Sequence, residues 1–392
     1  MIGDLQEISR LYKSELLERV IPFWELNSTD REYGGYFTCL DRKGRIYDTD
    51  KFIWLQARQI WMFSKLYGEL EQKNNWLEIA NTGADFLKKY GRDQEGNWYF
   101  ALTREGKPLV QAYNIFSDCF AAMAFARRHK INGDDEDARI ASDTFMNILS
   151  RYDNPKGRYN KNYPGIRTLK SLSLPMIMCN ISMELEGIIT SEKSEETIEN
   201  CIHEIMELFY NEKSGLLMEN VNEDGSRSDC FEGRLLNPGH AMEAMWFIMD
   251  LARRKKDMTL IHRAVDILMR TVDYGWDTEH GGIFYFLDIK GYPTQQLEWD
   301  QKLWWVHIEA LVALIKAYFL TGREDCLRWF NKVHDYTWSS FPDPQYDEWF
   351  GYLNRRGEVL LNLKGGKWKG CFHLPRGLYI IFETLEKIIT ER

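Results

Sequence analysis

The sequence predicts an all-α fold, an (α/α)6 barrel of twelve helices with short β-hairpins at one mouth, and three observations lead there. First, six segments set a glycine among aromatic or apolar residues, and most close on a charged turn ending in another glycine. They are GGYFTCLDRKG from Gly34, GNWYFALTREG from Gly96, GRYNKNYPG from Gly157, GLLMENVNEDG from Gly215, GGIFYFLDIKG from Gly281 and WFGYLNRRG from Trp349. Taking Gly35, Gly96, Gly157, Gly215, Gly282 and Gly351 as markers, the spacings are 61, 61, 58, 67 and 69 residues, the regularity of a repeat. Second, two stretches of helical periodicity separate successive hairpins. Third, the helix after each hairpin tends to be apolar nearly all round, whereas the next is amphipathic, as a ring of inner helices inside a ring of outer ones requires.

In chain order, a first helix is expected over 3–24, before the hairpin at Gly34. The stretch KFIWLQARQIWMFSKLYGEL, 51–70, reads as an inner helix, and NWLEIANTGADFLKKY, 75–90, as its outer partner. The same plan places helices at 112–129 and 135–152, then at 171–190 and 194–213. It continues at 238–254, where GHAMEAMWFIMDLA is apolar on every side, and 258–275, where IHRAVDILMRTVDY is two-faced. Helices at 299–320, 323–340 and 374–390 complete the twelve, and the chain is read as one domain over 1–392. The inner helices then all run in one direction, so their N-termini and the hairpins gather at one mouth, where polar residues merit first attention as a site.

Composition narrows the function. The 392 residues carry 50 basic and 59 acidic side chains, a formal net charge of −9, with no basic run or stripe to track a phosphate backbone, so nucleic acid is not an expected partner. No run reaches the roughly 18–20 apolar residues of a membrane span, and the N-terminal segment lacks the apolar stretch of a secretory signal. Seven cysteines, an odd number without a CxxC pair, read as reduced thiols and suggest a cytoplasmic protein. Aromatic residues make up 14% of the chain, which suits flat rings lining a pocket for sugars.

Four polar residues stand out on apolar inner helices. His240, in LNPGHAMEAMWF, and His373, in KGCFHLPRG, occupy equivalent places at the start of inner helices in different units, so they would face one cavity from two sides. The competing reading of each is a helix-capping or core histidine. Arg58, in WLQARQIWMF, and Glu309, in WWVHIEALVALI, would cost several kcal/mol if buried unpaired; a structural Arg–Glu bridge competes with a functional role. Glu243 shares a helical face with His240, while His307, two residues before Glu309, lies on another face and makes a poor metal clamp. No metal is expected. Trp54, Phe116, Trp304 and Trp305 are candidate pocket walls, and Asn180 and Glu243 join them in the expected substrate-binding set. The basic stretch NPKGRYNKNYPGIRT lacks the order of a phosphate-binding loop, and no GxGxxG after a strand, GxSxG elbow or HExxH helix is present, so side chains must do the chemistry.

The segments EYGGYFTCLDRKGR, WLQARQIWMFSKLY, NPGHAMEAMWF, WWVHIEALVAL and EWFGYLNRRGEVLLNLKGGKWKGCFHLPRGLY resemble the N-acylglucosamine 2-epimerase family, whose mammalian members are also called renin-binding protein. The likeness runs nearly end to end, and GGKWKGCFHLPR is its most specific part, with Leu374 where relatives carry Val. It implies the same (α/α)6 barrel, His240 and His373 as the two catalytic histidines, Arg58 as the active-site arginine and Glu309 as the active-site glutamate. It further implies interconversion of N-acetylglucosamine and N-acetylmannosamine without a redox cofactor, through C2 deprotonation to an enediolate and reprotonation on the far side. ATP is implied as an allosteric effector that is not consumed, with Lys161 of KGRYNK near the nucleotide, and a homodimer is expected. Cellobiose 2-epimerase and aldose–ketose isomerases of the mannose-to-fructose type share the barrel; a renin-binding-like protein module and an (α/α)6 glycosidase remain as readings from other classes.

Overall fold

A computed structural model describes residues 2–163 and 165–391. Helix α1 runs through Ile2–Ser14, widens to a π-helical stretch at Glu15–Val20 and resumes over Ile21–Asn27. The helices that follow are α2 (Ile53–Glu69), α3 (Asn74–Tyr90), α4 (Ile115–Asn132), α5 (Asp135–Ser150) and α6 (Ser173–Glu184). Next come α7 (Ser191–His203), prolonged by a π-helical turn at Glu204–Leu208, α8 (Pro238–Lys255) and α9 (Met258–Gly275). Helices α10 (Trp304–Thr321), α11 (Glu324–Ser340) and α12 (His373–Glu391) close the ring.

Even-numbered helices form the inner ring. Each packs on its inner neighbour from α2 round to α12, while an outer helix backs every one of them, α1 serving α12. Between α12 and α2, Tyr379 donates to Glu69 and the Trp61 and Phe372 rings meet at 5.4 Å. The pattern of burial follows composition: α10 is buried along most of its length, whereas outer α9 buries only one face. Helix α10 does have the length and mean hydropathy, 1.3, of a membrane-crossing helix, contrary to the sequence expectation, and that apolar surface is covered by its neighbours in the barrel.

The hairpins stitch the mouth together. A strand within each of four hairpin segments pairs with the strand that leads into the preceding inner helix: Ala101–Leu102 with Lys51–Phe52, Asn220–Asn222 with Leu169–Ser171, Leu287–Asp288 with Leu235–Leu236, and Tyr352–Leu353 with Lys302–Leu303. A bridge between Asp41 and Leu363 repeats the arrangement across the join of chain ends. One expectation fails: among the described residues of GRYNKNYPG, which exclude Pro164, there is a 3-10 turn at Gly157–Tyr159 and no hairpin, since its Gly and Asn residues lack the alternating apolar side chains that pin a two-stranded register. A cavity of about 1070 Å³ opens beside this segment. The expected helix over 171–190 also stops at Glu184, and that over 299–320 starts only at Trp304, because the residues before it form the strand Lys302–Leu303.

Ionic staples recur at the hairpins. Asp30 accepts from Lys51 (2.9 Å) and Arg104 (2.9 Å), Asp277 from Lys302 (3.1 Å) and Arg355 (3.0 Å), and Asp343 pairs with Lys364 (2.9 Å) and Arg42 (2.7 Å). In each, an aspartate just past an outer helix takes a fully buried lysine and an arginine from the next hairpin. The third joins the last hairpin to the first.

Candidate active site

His240 enters the site through the cap of α8. Asn237 accepts the His240 backbone N–H at 3.1 Å and Pro238 occupies the first turn, so the local sequence NPGH fixes where the imidazole starts. The ring then donates from Nδ1 to Glu219, at 3.0 and 3.1 Å from its two carboxylate oxygens, which leaves Nε2 for a ligand. Burial pushes the His240 pKa down, but the charge and hydrogen bond of Glu219 and the charge of Glu243 outweigh it and hold the ring above its ordinary value.

His373 opens α12 and donates from Nδ1 to Glu309 at 2.8 Å. Its pKa goes the other way, well below the ordinary value, because of burial and the nearby cations Arg58 and Arg376, with His240 adding to the effect. The two imidazoles are therefore alike in tethering, each by Nδ1 to a carboxylate, and opposite in the direction of their pKa shifts. Trp305 packs against both, with ring centroids 5.3 Å from His240 and 5.6 Å from His373. That indole also needs Gly239: a Cβ there would lie 2.6 Å from its ring.

Arg58 has no carboxylate partner among the described residues. Its guanidinium carbon lies 3.9 Å from the Phe120 ring centroid, 4.3 Å from Trp54 and 4.7 Å from Phe372, and its buried Nε has no hydrogen-bond acceptor. Burial pulls its pKa down to about 9, with Glu243 and Glu309 only partly compensating. The Arg58–Glu309 bridge weighed from sequence does not form; Glu309 accepts instead from Arg376 (2.6 Å), Trp246 (2.9 Å) and His373. Glu243 likewise pairs with Arg376 and leaves the tethering of His240 to Glu219.

The other expected residues divide. Trp54 joins the ring cluster on Arg58, and Trp305 the histidines. Trp304 turns away, packing on Tyr352 at 5.2 Å and under the Lys369 ammonium. Phe116 lines the 1070 Å³ cavity, together with Asn114, Ser173 and Asn220, and neither histidine is part of that lining. Asn180 is buried on α6, with no hydrogen bond to either histidine or its carboxylate. Lys161 is exposed between Asn160 and Asn162, which line that cavity, and does not line it itself. His307 is a core residue: Nδ1 donates to the Leu303 carbonyl at 2.7 Å, Nε2 accepts from Ile283 N–H at 2.9 Å, and burial lowers its pKa to about 3.

Glu243, Glu309 and His373 each bring a possible ligand atom within 4.8 Å of the others. The Arg376 guanidinium already donates to both carboxylates, so the positive charge a metal would supply is provided by the chain. The same pairing bears on a glycosidase, whose two carboxyl groups must flank a sugar bond; these two flank a guanidinium.

Sequence reasoning missed Glu219 and Arg376. Arg376 was within reach, since it falls one turn after His373 in CFHLPRG and so shares its helical face. Glu219 sits in the quoted hairpin GLLMENVNEDG, but nothing local links it to a histidine 21 residues on.

Comparison with known proteins adds the following. The profile of N-acylglucosamine 2-epimerase (GlcNAc 2-epimerase) matches residues 35–374. The N-acylglucosamine 2-epimerase of Bos taurus is 39% identical over 402 residues, covering 98% of this chain and 94% of its own. That of Homo sapiens is 38% identical over 383 residues, covering 95% and 89%. Among solved structures, cellobiose 2-epimerase from Bacillus thermoamylovorans superposes with a TM-score of 0.84 at 21% identity, over 96% of this chain and 99% of that one, a likeness of fold.

Proposed function

The chain belongs to the N-acylglucosamine 2-epimerase family and is a carbohydrate epimerase, and we propose that it interconverts N-acetylglucosamine and N-acetylmannosamine by moving the C2 proton between His240 and His373. The observation that carries this reading is the pair of imidazoles, each tethered through Nδ1 and biased toward opposite protonation states around one shared indole. Inversion at carbon needs a base on one face and an acid on the other, and two groups whose pKa values are pushed apart are suited to those two tasks.

In the open-chain sugar, the neutral histidine removes the proton from C2 and the protonated one returns a proton to the opposite face. The enediolate between these steps carries negative charge on O1. Arg58, a buried cation without a carboxylate partner, meets that charge, and because it is held by rings it needs no reorganisation to do so. Glu219 and Glu309 hold the tautomers that present Nε2.

The substrate-binding set Trp54, Phe116, Asn180, Trp304 and Trp305, ATP as an unconsumed effector near Lys161, a homodimer and a cytoplasmic setting belong to the same reading; the free cysteines, none of them in a disulfide, support the last. The test is proton NMR with N-acetylglucosamine in D2O, with and without ATP. Appearance of N-acetylmannosamine together with loss of the C2 proton signal is expected, and ATP is expected to raise the rate. Conversion of mannose to fructose without exchange on the N-acetyl sugar would move the chain to the isomerase reading, in which the proton returns to C1. Light scattering tests the dimer.

A further inference from the structure

Arg376 is the most buried cation of the site, 1% exposed, and it is shared. Its Nη2 donates to both Glu243 and Glu309 and lies 3.5 Å from His373 Nδ1, while its guanidinium carbon packs against Phe372 (4.5 Å) and Trp246 (5.2 Å). The other two nitrogens are sealed from solvent with no acceptor. No part of it is therefore offered to a sugar, and the proton transfers and the charge on O1 leave it without a task. We propose that Arg376 is the positioning residue of the proton-transfer pair: by gripping Glu243 and Glu309 together it fixes Glu309 under His373 and offsets the charge of both carboxylates beside that ring.

The charges around His373 make the argument. From α2 comes Arg58, from α8 Glu243 and His240, from α10 Glu309, and from α12 itself Arg376. Glu243 and Glu309 face the two guanidinium groups and His240 has its own carboxylate in Glu219, so the cluster is balanced when His373 is neutral, and a proton on its ring adds an uncompensated cation to a buried site. Take away Arg376 and the balance inverts. Glu309 loses its guanidinium, Glu243 becomes a second uncompensated anion, and the imidazole 2.8 Å from Glu309 is the nearest group that can become positive. The ring then rests protonated, tied to Glu309 as an ion pair, and cannot accept the C2 proton. Burial and Arg58 push the His373 pKa down, and Arg376 adds to them by offsetting the two carboxylates beside the ring.

This inference deepens the epimerase reading and rests on it, so its test includes a measurement that needs no sugar. The pH dependence of kcat/KM for N-acetylglucosamine and the NMR titration of the His373 ring, identified by the signal lost in His373→Asn, are followed in the wild type, Arg376→Met and Arg376→Lys. In Arg376→Met the acid limb moves up by about one pH unit or more, so that activity at pH 6 falls at least about tenfold relative to activity at pH 9, and the His373 titration rises in step. Arg376→Lys keeps the cation but cannot grip two carboxylates, so its limb and titration stay in place while kcat falls severalfold with KM within about twofold of the wild type. An unshifted limb and titration in Arg376→Met would overturn the proposal, as would an unchanged kcat in Arg376→Lys. If Arg376→Met does not fold, the kcat of Arg376→Lys and its His373 titration decide alone. A wild type that does not epimerise the N-acetyl sugar, yet whose His373 titration answers to Arg376, would remove the substrate reading and leave this one standing.

Discussion

At the scale of single residues, the site is a set of four tethers around two imidazoles and one guanidinium left untethered. Replacing either His240 or His373 with alanine removes one of the two groups that handle the C2 proton. Epimerisation should fall about 10²- to 10⁴-fold while the circular dichroism spectrum is kept, and a His373→Ala protein with near-normal turnover would end the two-base scheme. Arg58 makes the opposite trade between stability and function. A cation whose folded-state pKa lies at about 9, below its ordinary 12.5, costs the folded state stability at every pH below that value. Arg58→Met should therefore raise the stability measured by urea unfolding at pH 7, by about 1–4 kcal/mol. Its kcat should drop about 10²- to 10³-fold, since the charge on O1 loses its counter-ion.

At the scale of elements, function depends on how closely inner helices approach each other. Helix α8 meets α10 at Gly239, where an added methyl group would strike the Trp305 indole that both histidines pack against. Gly239→Ala should lower kcat/KM by about tenfold to a hundredfold by displacing that indole, with far-UV dichroism unchanged. Steady-state assays beside tryptophan fluorescence check it, and an unaltered kcat/KM would mean the indole has room to move. The sequence spacing identified α8 and its capped N-terminus to the residue, since Asn237, Pro238 and the apolar run behind them act locally. It misread GRYNKNYPG as a hairpin because the marker glycine was counted without the paired apolar strands that stabilise one.

At the scale of the whole molecule, the ring closes where the first and last hairpins and helices meet. The staple of Asp343 with Arg42 and Lys364 lies at that join, and α1 packs against α12 beside it. Asp343→Asn leaves the fully buried Lys364 without its counter-charge, and a loss of about 3–5 kcal/mol in chemical denaturation is expected, against less than about 1 kcal/mol for removal of an exposed pair such as Lys13–Glu386. The staples also set the acid limit. Although burial alone would raise it, hydrogen bonds from Arg104 and Lys51 bring the Asp30 pKa down to about 2 from the ordinary 3.8. A carboxylate depressed in this way contributes stability that is fully present above its ordinary value and is lost as the pH falls through about 2. Buried His307, held at about 3, and His373 stay neutral while the unfolded chain takes up protons below about pH 6.5, so thermal melts should decline from about pH 6.5 downward and fall more steeply below about 4 as the staples are lost; a melting temperature level from pH 7 to about 4 would overturn this expectation.

The repeat of hairpin and helix pair, the division into inner and outer helices, and the clustering of inner N-termini were written locally, in periodicity and turn chemistry, so the (α/α)6 barrel and four of its site residues could be read from the chain alone. The partners of those residues could not. Glu219 reaches His240 from a hairpin in the strand network of the mouth, and Arg376 takes Glu243 and Glu309 from two other helices. Only the closed ring decided that Glu309 serves His373, that Arg58 has no carboxylate partner among the described residues and that the two imidazoles have pKa values shifted in opposite directions. Pairing of charges and the pKa values that follow depend on distances between side chains of different elements, and those exist only once the inner helices have packed.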